Sequence, residues 1–210
     1  MLLNTASEKT VHYYDKLAEK YDRQYKSYLQ HTHEKFLDKI ELSSSDEILD
    51  SSAGTGLLAQ EILEKFGPFE RLVLNDPSSN MQERAKYRLR YRDEVEFTSY
   101  YSEELPFDKD SFSQIICLNS FHYYTNQSRV LENFSKIIKP GGTLWLLDWN
   151  RVGSFKIANK LIDWLTPQNI NSRTLPELKD LLTENDFDVI EEDTWGYRWW
   201  NFLFVRCEFG

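Results

Sequence analysis

The stretch Glu47-Ile-Leu-Asp-Ser-Ser-Ala-Gly-Thr-Gly56 decides the fold. Ile48 and Leu49 form a short apolar run that ends at Asp50. Small residues follow from Ser51 to Gly56, and Leu57-Leu-Ala-Gln-Glu-Ile-Leu63 then repeats apolar side chains at helical spacing. The pattern reads as strand, tight turn, helix, the opening unit of a nucleotide-binding α/β sheet. A ligand can lie against the backbone N–H groups of such a turn only if its side chains are small. The helix N-terminus behind it adds the positive end of a dipole. An ordinary strand-to-helix connection is the rival reading.

Outward from this unit the pattern repeats. Arg71-Leu-Val-Leu-Asn75 is a second strand, and Gly67-Pro68 stops the helix before it. Asp76 follows about twenty residues after the last turn glycine, the spacing at which a second-strand carboxylate reaches ribose hydroxyls. An acid before Pro77 is also a helix-start device. Val95 to Ser99 gives a third strand. Ser113 to Asn119 gives a fourth, apolar almost throughout, as a strand buried on both faces should be. A helix from Ser128 to Lys139 stops at Pro140-Gly-Gly142, and Thr143 to Trp149 is the fifth strand. Strands alternating with helices specify a parallel, doubly wound sheet.

The flanks differ. Residues 7–27 read as one helix capped by Ser7, with Val11, Tyr14, Leu17, Ala18 and Tyr21 on one face, and a second covers His31 to Ile40. This prelude is either a lid or packing. Arg151 to Thr166 reads as an inserted helix, and Thr174 caps a last one with Pro176 near its start. Residues 187–192 and 200–207 read as an antiparallel edge hairpin joined by a connection that contains Gly196. The expected division is a helical lid (1–45), a cofactor-binding core (46–150), a helical insertion (151–173), and a final helix with the edge hairpin (174–210).

With 210 residues the chain can bury one good core. Its formal net charge of -9 argues against a nucleic-acid partner. A local basic strip from Arg84 to Arg92 reads as a solvated helix face. Cys117 and Cys207, each in an apolar run, fit a reducing compartment and no disulfide framework. Met1-Leu-Leu is too short for a signal-peptide core and no run reaches membrane-spanning length, so a cytoplasmic protein is expected. His12, His31, His33 and His122 form no metal-ligand pattern with the cysteines.

With these residues placed, the sequence resembles the class I S-adenosylmethionine-dependent methyltransferases, closest to their quinone-biosynthesis-like (type 11) branch. The resemblance rests on Tyr14-Asp-Lys-Leu-Ala-Glu-Lys-Tyr-Asp22, Leu49 to Gly56, Asn75 to Met81, Glu103 to Phe112 and Lys139-Pro-Gly-Gly142, in order along nearly the whole chain. It implies a Rossmann-like seven-stranded sheet, mostly parallel, with an antiparallel C-terminal edge hairpin and an N-terminal helical lid. It implies S-adenosylmethionine as cofactor, held by a turn of Ser51, Ser52, Ala53, Gly54 and Gly56. Asp50 would lie near the amino-acid end, Asp76 on the ribose, and Pro77 and Met81 on the adenine. Ser102 and its neighbours would address the adenine edge, the backbone around Asn119 would face the ammonium, and Tyr14 and Tyr21 would cover the methionine end. Ser52 stands where the family has its first turn glycine. Tyr101 stands where many members carry an aspartate that meets the adenine amino group.

Methyl transfer needs alignment, dehydration and, for some acceptors, removal of a proton. His122, after the fourth strand, is the candidate base; packing within its loop is the alternative. Tyr13, Tyr123, Tyr124, Trp149, Phe155 and Trp164 are candidates for the wall of a flat or apolar small-molecule acceptor, though each serves equally as core. The alternative function is a catalytically silent cofactor-binding or regulatory module. A nicotinamide oxidoreductase is disfavoured, because Ser52-Ala-Gly54 lacks the dinucleotide glycine spacing.

Overall fold

The computed structural model describes residues 5–153, 155–156 and 170–210. Three helices lead in: α1 (Ala6–Leu17), α2 (Tyr21–Gln24) and α3 (Lys26–Leu37). Thr5, not Ser7, is the N-cap of α1. It forms a capping box with Glu8, each side chain accepting the other's backbone N–H at 3.1 and 3.0 Å. The single helix expected over 7–27 is broken after Leu17. The break brings Asp22 to the turn after the first strand, where Thr55 Oγ1 donates to Asp22 Oδ1 at 2.6 Å and Arg88 pairs with Asp22 Oδ2. These contacts outweigh the lost helical bonds. α3 begins five residues before the expected His31 and buries Tyr28, Leu29, Thr32, His33 and Phe36.

The remaining elements are β1 (Glu47–Asp50), α4 (Leu57–Lys65), β2 (Arg71–Asn75), α5 (Ser79–Arg88), β3 (Val95–Thr98), β4 (Phe112–Leu118), α6 (Gln127–Ile137), β5 (Ile138–Trp149), α7 (Leu175–Thr183), β6 (Phe187–Tyr197) and β7 (Trp200–Phe209). They form a seven-stranded sheet in the order β3-β2-β1-β4-β5-β7-β6. The first five strands run parallel, and β7 is antiparallel to both β5 and β6. The expected mostly parallel sheet with an antiparallel C-terminal hairpin is therefore the observed fold.

Successive residues of the central strands serve opposite faces. Ile48, Leu72, Ile116 and Trp145 pack with α3, α4 and α5. Leu49, Val73, Ile115 and Leu144 pack with α6 and α7. Burial on both faces explains the near-continuous apolar run of β4. Cys117 and Cys207 are fully buried free thiols.

Two boundaries differ from the sequence reading. β5 begins at Ile138 rather than after Gly142, because Ile138 already pairs with Phe112 and an irregularity absorbs Lys139 to Gly142. The hairpin turn is Arg198-Trp199, with Arg198 at φ 56, while Gly196 lies inside β6 opposite Asn201. The Thr174 cap stands, as a capping box with Glu177. Most of the insertion expected over 151–166, Trp164 included, lies outside the described residues. Among the described residues no helix is long and apolar enough to cross a membrane.

Candidate active site

The carboxyl ends of β1, β2 and β4 open onto one cleft. Leaving β1, Ser51 N–H donates to Ile116 O at 3.0 Å and Ala53 N–H to Asn75 O at 2.9 Å, which ties the turn to both neighbouring strands. The two turn glycines serve different ends. Gly54, at φ +54, faces open space, since a Cβ there would meet nothing within 4 Å. Gly56, at φ +72, caps α4, and a Cβ there would lie 3.1 Å from the Ala85 Cβ. It allows α4 and α5 to approach closely and is not on the cleft wall.

Asp76 closes the turn. Its Oδ2 accepts Gly54 N–H at 2.8 Å and its Oδ1 accepts Ser78 N–H at 2.9 Å. Ser78, not Asp76, is the N-cap of α5, its Oγ accepting Met81 N–H at 3.2 Å. Asp76 instead holds the backbone of that cap and stands on the cleft wall, each of its carboxylate oxygens keeping a second lone pair. Burial pushes its carboxyl up to about 6, against the pull of those two N–H groups. Asp50 is driven further, to about 7, first by burial and then by the Asp76 charge, with the Ser52 backbone N–H opposing.

The main cleft, ≈ 770 Å³, is lined by Tyr14, Tyr21, Ser52, Gly54, Asp76, Pro77, Met81, Tyr101, Ser102, Asn119, Tyr123 and Tyr124. All twelve were singled out in the sequence. Ser7, Thr10, Val11, Ser78, Glu103, Leu118 and Ser120 complete it. An adjoining cavity of ≈ 400 Å³ shares Tyr21, Ser52, Gly54 and Asn119 and adds Asp50, Ala53, Thr55 and His33 among others. Ser51 is on neither wall: it is fully buried, and its hydroxyl donates to Ile116 O at 3.0 Å.

The Ser52 hydroxyl lies 2.8 Å from the Tyr124 hydroxyl. Ser102 Oγ at 3.2 Å and Ser51 Oγ at 3.3 Å share the same phenol. The residue at the family's glycine position therefore directs its side chain at protein rather than filling the cleft. Tyr101 stands at the mouth, 37% exposed. Asn119 has φ 56, and its side chain is tied to α3, accepting from Tyr28 OH and donating to Thr32 Oγ1, both at 2.9 Å.

At the other end Tyr14 meets Tyr123 edge to face, ring centroids 5.4 Å apart. Tyr13 packs on Tyr14 at 5.4 Å but is not on the wall. Trp149 and Phe155 are not on it either. Trp149 is buried, donates from Nε1 to Tyr28 OH at 2.8 Å and packs on Phe155, which is fully buried. These two are core behind the wall.

His122 stands one layer back, 1% exposed, stacked on Trp149 with the Tyr123 ring tilted against it. Its backbone N–H donates to Asp148 Oδ2 at 2.6 Å, and its Nδ1 pairs with Asp148 Oδ1. A carboxylate oxygen accepts, so the Nδ1 that faces it carries a proton. Nε2 is buried without a hydrogen-bond partner among the described residues. The sequence reading passed over Asp148, although a lone acid ending an apolar strand is the same signal as Asp50. It also passed over the pairing of His33 with Glu61.

A Gly54-containing turn, a second-strand carboxylate and a cleft at the sheet's carboxyl edge are the features that the resemblance to the class I S-adenosylmethionine-dependent methyltransferases implies. A family model described as a methyltransferase domain matches residues 21–192, and the chain belongs to that family. Among curated relatives, the ubiquinone/menaquinone biosynthesis C-methyltransferase UbiE of Francisella tularensis subsp. novicida is 25% identical over 150 residues, 70% of this chain and 58% of the relative. The chain spans about half the length of the curated relatives it matches. Two solved structures share the fold. One is a chain from the complex of the Haloferax volcanii Trm112 methyltransferase activator with a methyltransferase. Its TM-score is 0.82 at 19% identity, covering 93% of this chain and 96% of that one. The other is a Thermotoga maritima S-adenosylmethionine-dependent methyltransferase, with TM-score 0.75 at 18% identity, covering 94% and 98%. The cofactor of the family fits the site in its chemistry: the Gly54 backbone faces open space beside the buried Asp76 carboxylate.

Proposed function

We propose that the chain methylates a small acceptor of flat or apolar character. S-adenosylmethionine supplies an activated methyl group on a sulfonium, so the protein's task is alignment and exclusion of water. The observation that carries this reading is the composition of the cleft wall. Away from Asp76 it presents phenols, hydroxyls, Val11 and Leu118, with Glu103 as the one ionisable carboxylate and no Lys or Arg among the described lining residues. Such a wall leaves a strongly anionic acceptor without counter-charge and offers nothing to a nucleic-acid backbone. The quinone-biosynthesis relatives support a quinone-like ring as the first acceptor to try. The buried, reduced thiols suit a reducing, cytoplasmic setting.

In this reading His122 is the base. Asp148 fixes its tautomer, and the unpartnered Nε2 awaits a proton once the Tyr123 ring yields. A second reading, cofactor binding without turnover, draws on that same Nε2 being off the wall and on Tyr101 at the adenine mouth. One experiment separates them: wild type and His122→Asn assayed against quinone-like, aromatic and amine acceptors beside RNA, DNA and protein. Turnover of a small aromatic acceptor is expected, with kcat roughly a hundredfold lower in the variant and cofactor affinity unchanged. Turnover confined to a polymer refutes the acceptor class. Tight cofactor binding with no turnover on any acceptor favours the silent module.

A further inference from the structure

We infer that His33 holds the carboxylate of the cofactor's amino-acid end, an assignment that rests on the S-adenosylmethionine reading above. That end of the cofactor is a zwitterion, an ammonium beside a carboxylate, and each charge needs an opposite partner in a partly buried site. The adjoining cavity lies against the end of β1 and brings Asp50 and His33 to the same walls, which Leu29, Leu57 and Leu58 also line. Asp50 answers the ammonium. Across both cavities, the only described lining side chain able to carry positive charge is His33.

The geometry prepares the ring for that role. His33 projects from α3 and is 5% exposed, and its Nδ1 lies 2.8 Å from Glu61 Oε2 on α4. Glu61 accepts from Nδ1–H, so the ring is fixed across two helices and Nε2 is left to meet whatever enters the cavity. When Nε2 also donates, the ring is an imidazolium between two carboxylates, one from Glu61 and one from the ligand. The backbone N–H groups at the start of α4 are the competing anion site.

Two ligands separate the possibilities. S-adenosylhomocysteine carries the amino-acid end, and 5′-methylthioadenosine has the same adenosine without it. Binding of both to wild type, His33→Ala and His33→Gln is read by calorimetry. His33→Ala should weaken S-adenosylhomocysteine binding by roughly ten- to a hundredfold and change 5′-methylthioadenosine binding by less than about twofold. His33→Gln, whose amide can donate, should recover part of the loss. Equal losses for both ligands would make His33 a packing residue and overturn the assignment. Unchanged S-adenosylhomocysteine affinity would hand the carboxylate to the α4 N-terminus and overturn it as well. A wild-type protein that bound neither ligand would refute the cofactor reading itself.

Discussion

At its cofactor end the cleft is built largely from backbone and two acids. Ala53 and Gly54 are fixed by main-chain bonds to β2 and to Asp76, and Asp50 and Asp76 stand buried with their carboxyls pushed up to about 7 and 6. At the end proposed for the acceptor, phenol side chains dominate the wall. Tyr14 comes from α1 and Tyr123 and Tyr124 from the segment after β4, and burial holds all three phenols well above their ordinary range. The first end carries charge that a cationic, hydroxyl-bearing ligand would satisfy. The phenols of the second stay neutral throughout the usual pH range. A ligand of fixed chemistry thus imposes a fixed polar frame, while the acceptor wall is free to vary in shape.

The largest expected effect lies at the first end. Asp76→Ala removes a carboxylate that would take two ribose hydroxyls through charge-assisted bonds, a few kcal/mol in all. S-adenosylmethionine affinity should fall by roughly a hundredfold by calorimetry, with far-ultraviolet circular dichroism unchanged. Affinity within threefold of wild type would leave Asp76 only as the group that orders Gly54 and Ser78, and the contrast between the two ends would collapse.

A smaller effect tests the charge itself. Asp50 keeps its proton to higher pH in the folded chain than in the unfolded one, since burial raises it from the usual carboxylate range to about 7. The folded state therefore binds more protons between those values, and stability falls as pH rises. Its contribution is fully present below about pH 4 and lost as pH passes 7, an upper limit of about 4 kcal/mol. Asp50→Asn stays neutral at every pH. In urea unfolding without ligand, the variant should gain on wild type by ~2 kcal/mol between pH 4.5 and 8. Tyr124→Phe, at the other end, should differ from wild type by the same amount at both pH values. Parallel curves for Asp50→Asn would show that its charge is already satisfied within the protein.

The same contrast governs what could be read from sequence. The β1–turn–α4 unit was legible because its signals are neighbours in the chain: an apolar run, small residues, then helical spacing. Asp76 was legible from its distance to Gly56. The contact between Ser52 and Tyr124 spans seventy-two positions and has no local signature. Trp149 and Phe155 read as wall or core alike, and only the fold turned them inward. His33 looked like one of four scattered histidines, because Glu61 meets it across two helices. Turn-like Pro140-Gly-Gly142 masked the early start of β5, where pairing with Phe112 overrode local preference. The break after Leu17 was hidden because the contacts made by Asp22 outweigh helix propensity, which is a weak prior.

The smallest expected effect concerns the helices above the cleft, which the sequence joined into one lid and the structure divides. α1 has Thr10 as its one buried residue, with Tyr14 half-buried, and is tethered by polar contacts. Asp15 Oδ1 accepts from Ser78 Oγ at 2.5 Å and from Asn80 N–H at 3.2 Å, and Ser7 Oγ lies 2.8 Å from Thr125 Oγ1. α3 instead places Tyr28, Leu29 and Phe36 in the main core. Segments with few buried apolar contacts open at low free energy, whereas core helices open only with the whole fold. Tyr14 of α1 lines the cleft, so ligand there adds contacts to the weakly held helix. Hydrogen exchange over residues 6–17 should slow by roughly fivefold on adding S-adenosylhomocysteine, while exchange over 26–37 stays the same. Asp15→Ala should speed exchange of α1 without ligand and leave α3 untouched. Equal slowing in both helices would make them one cooperative layer, and no slowing in α1 would make it plain packing beside the site.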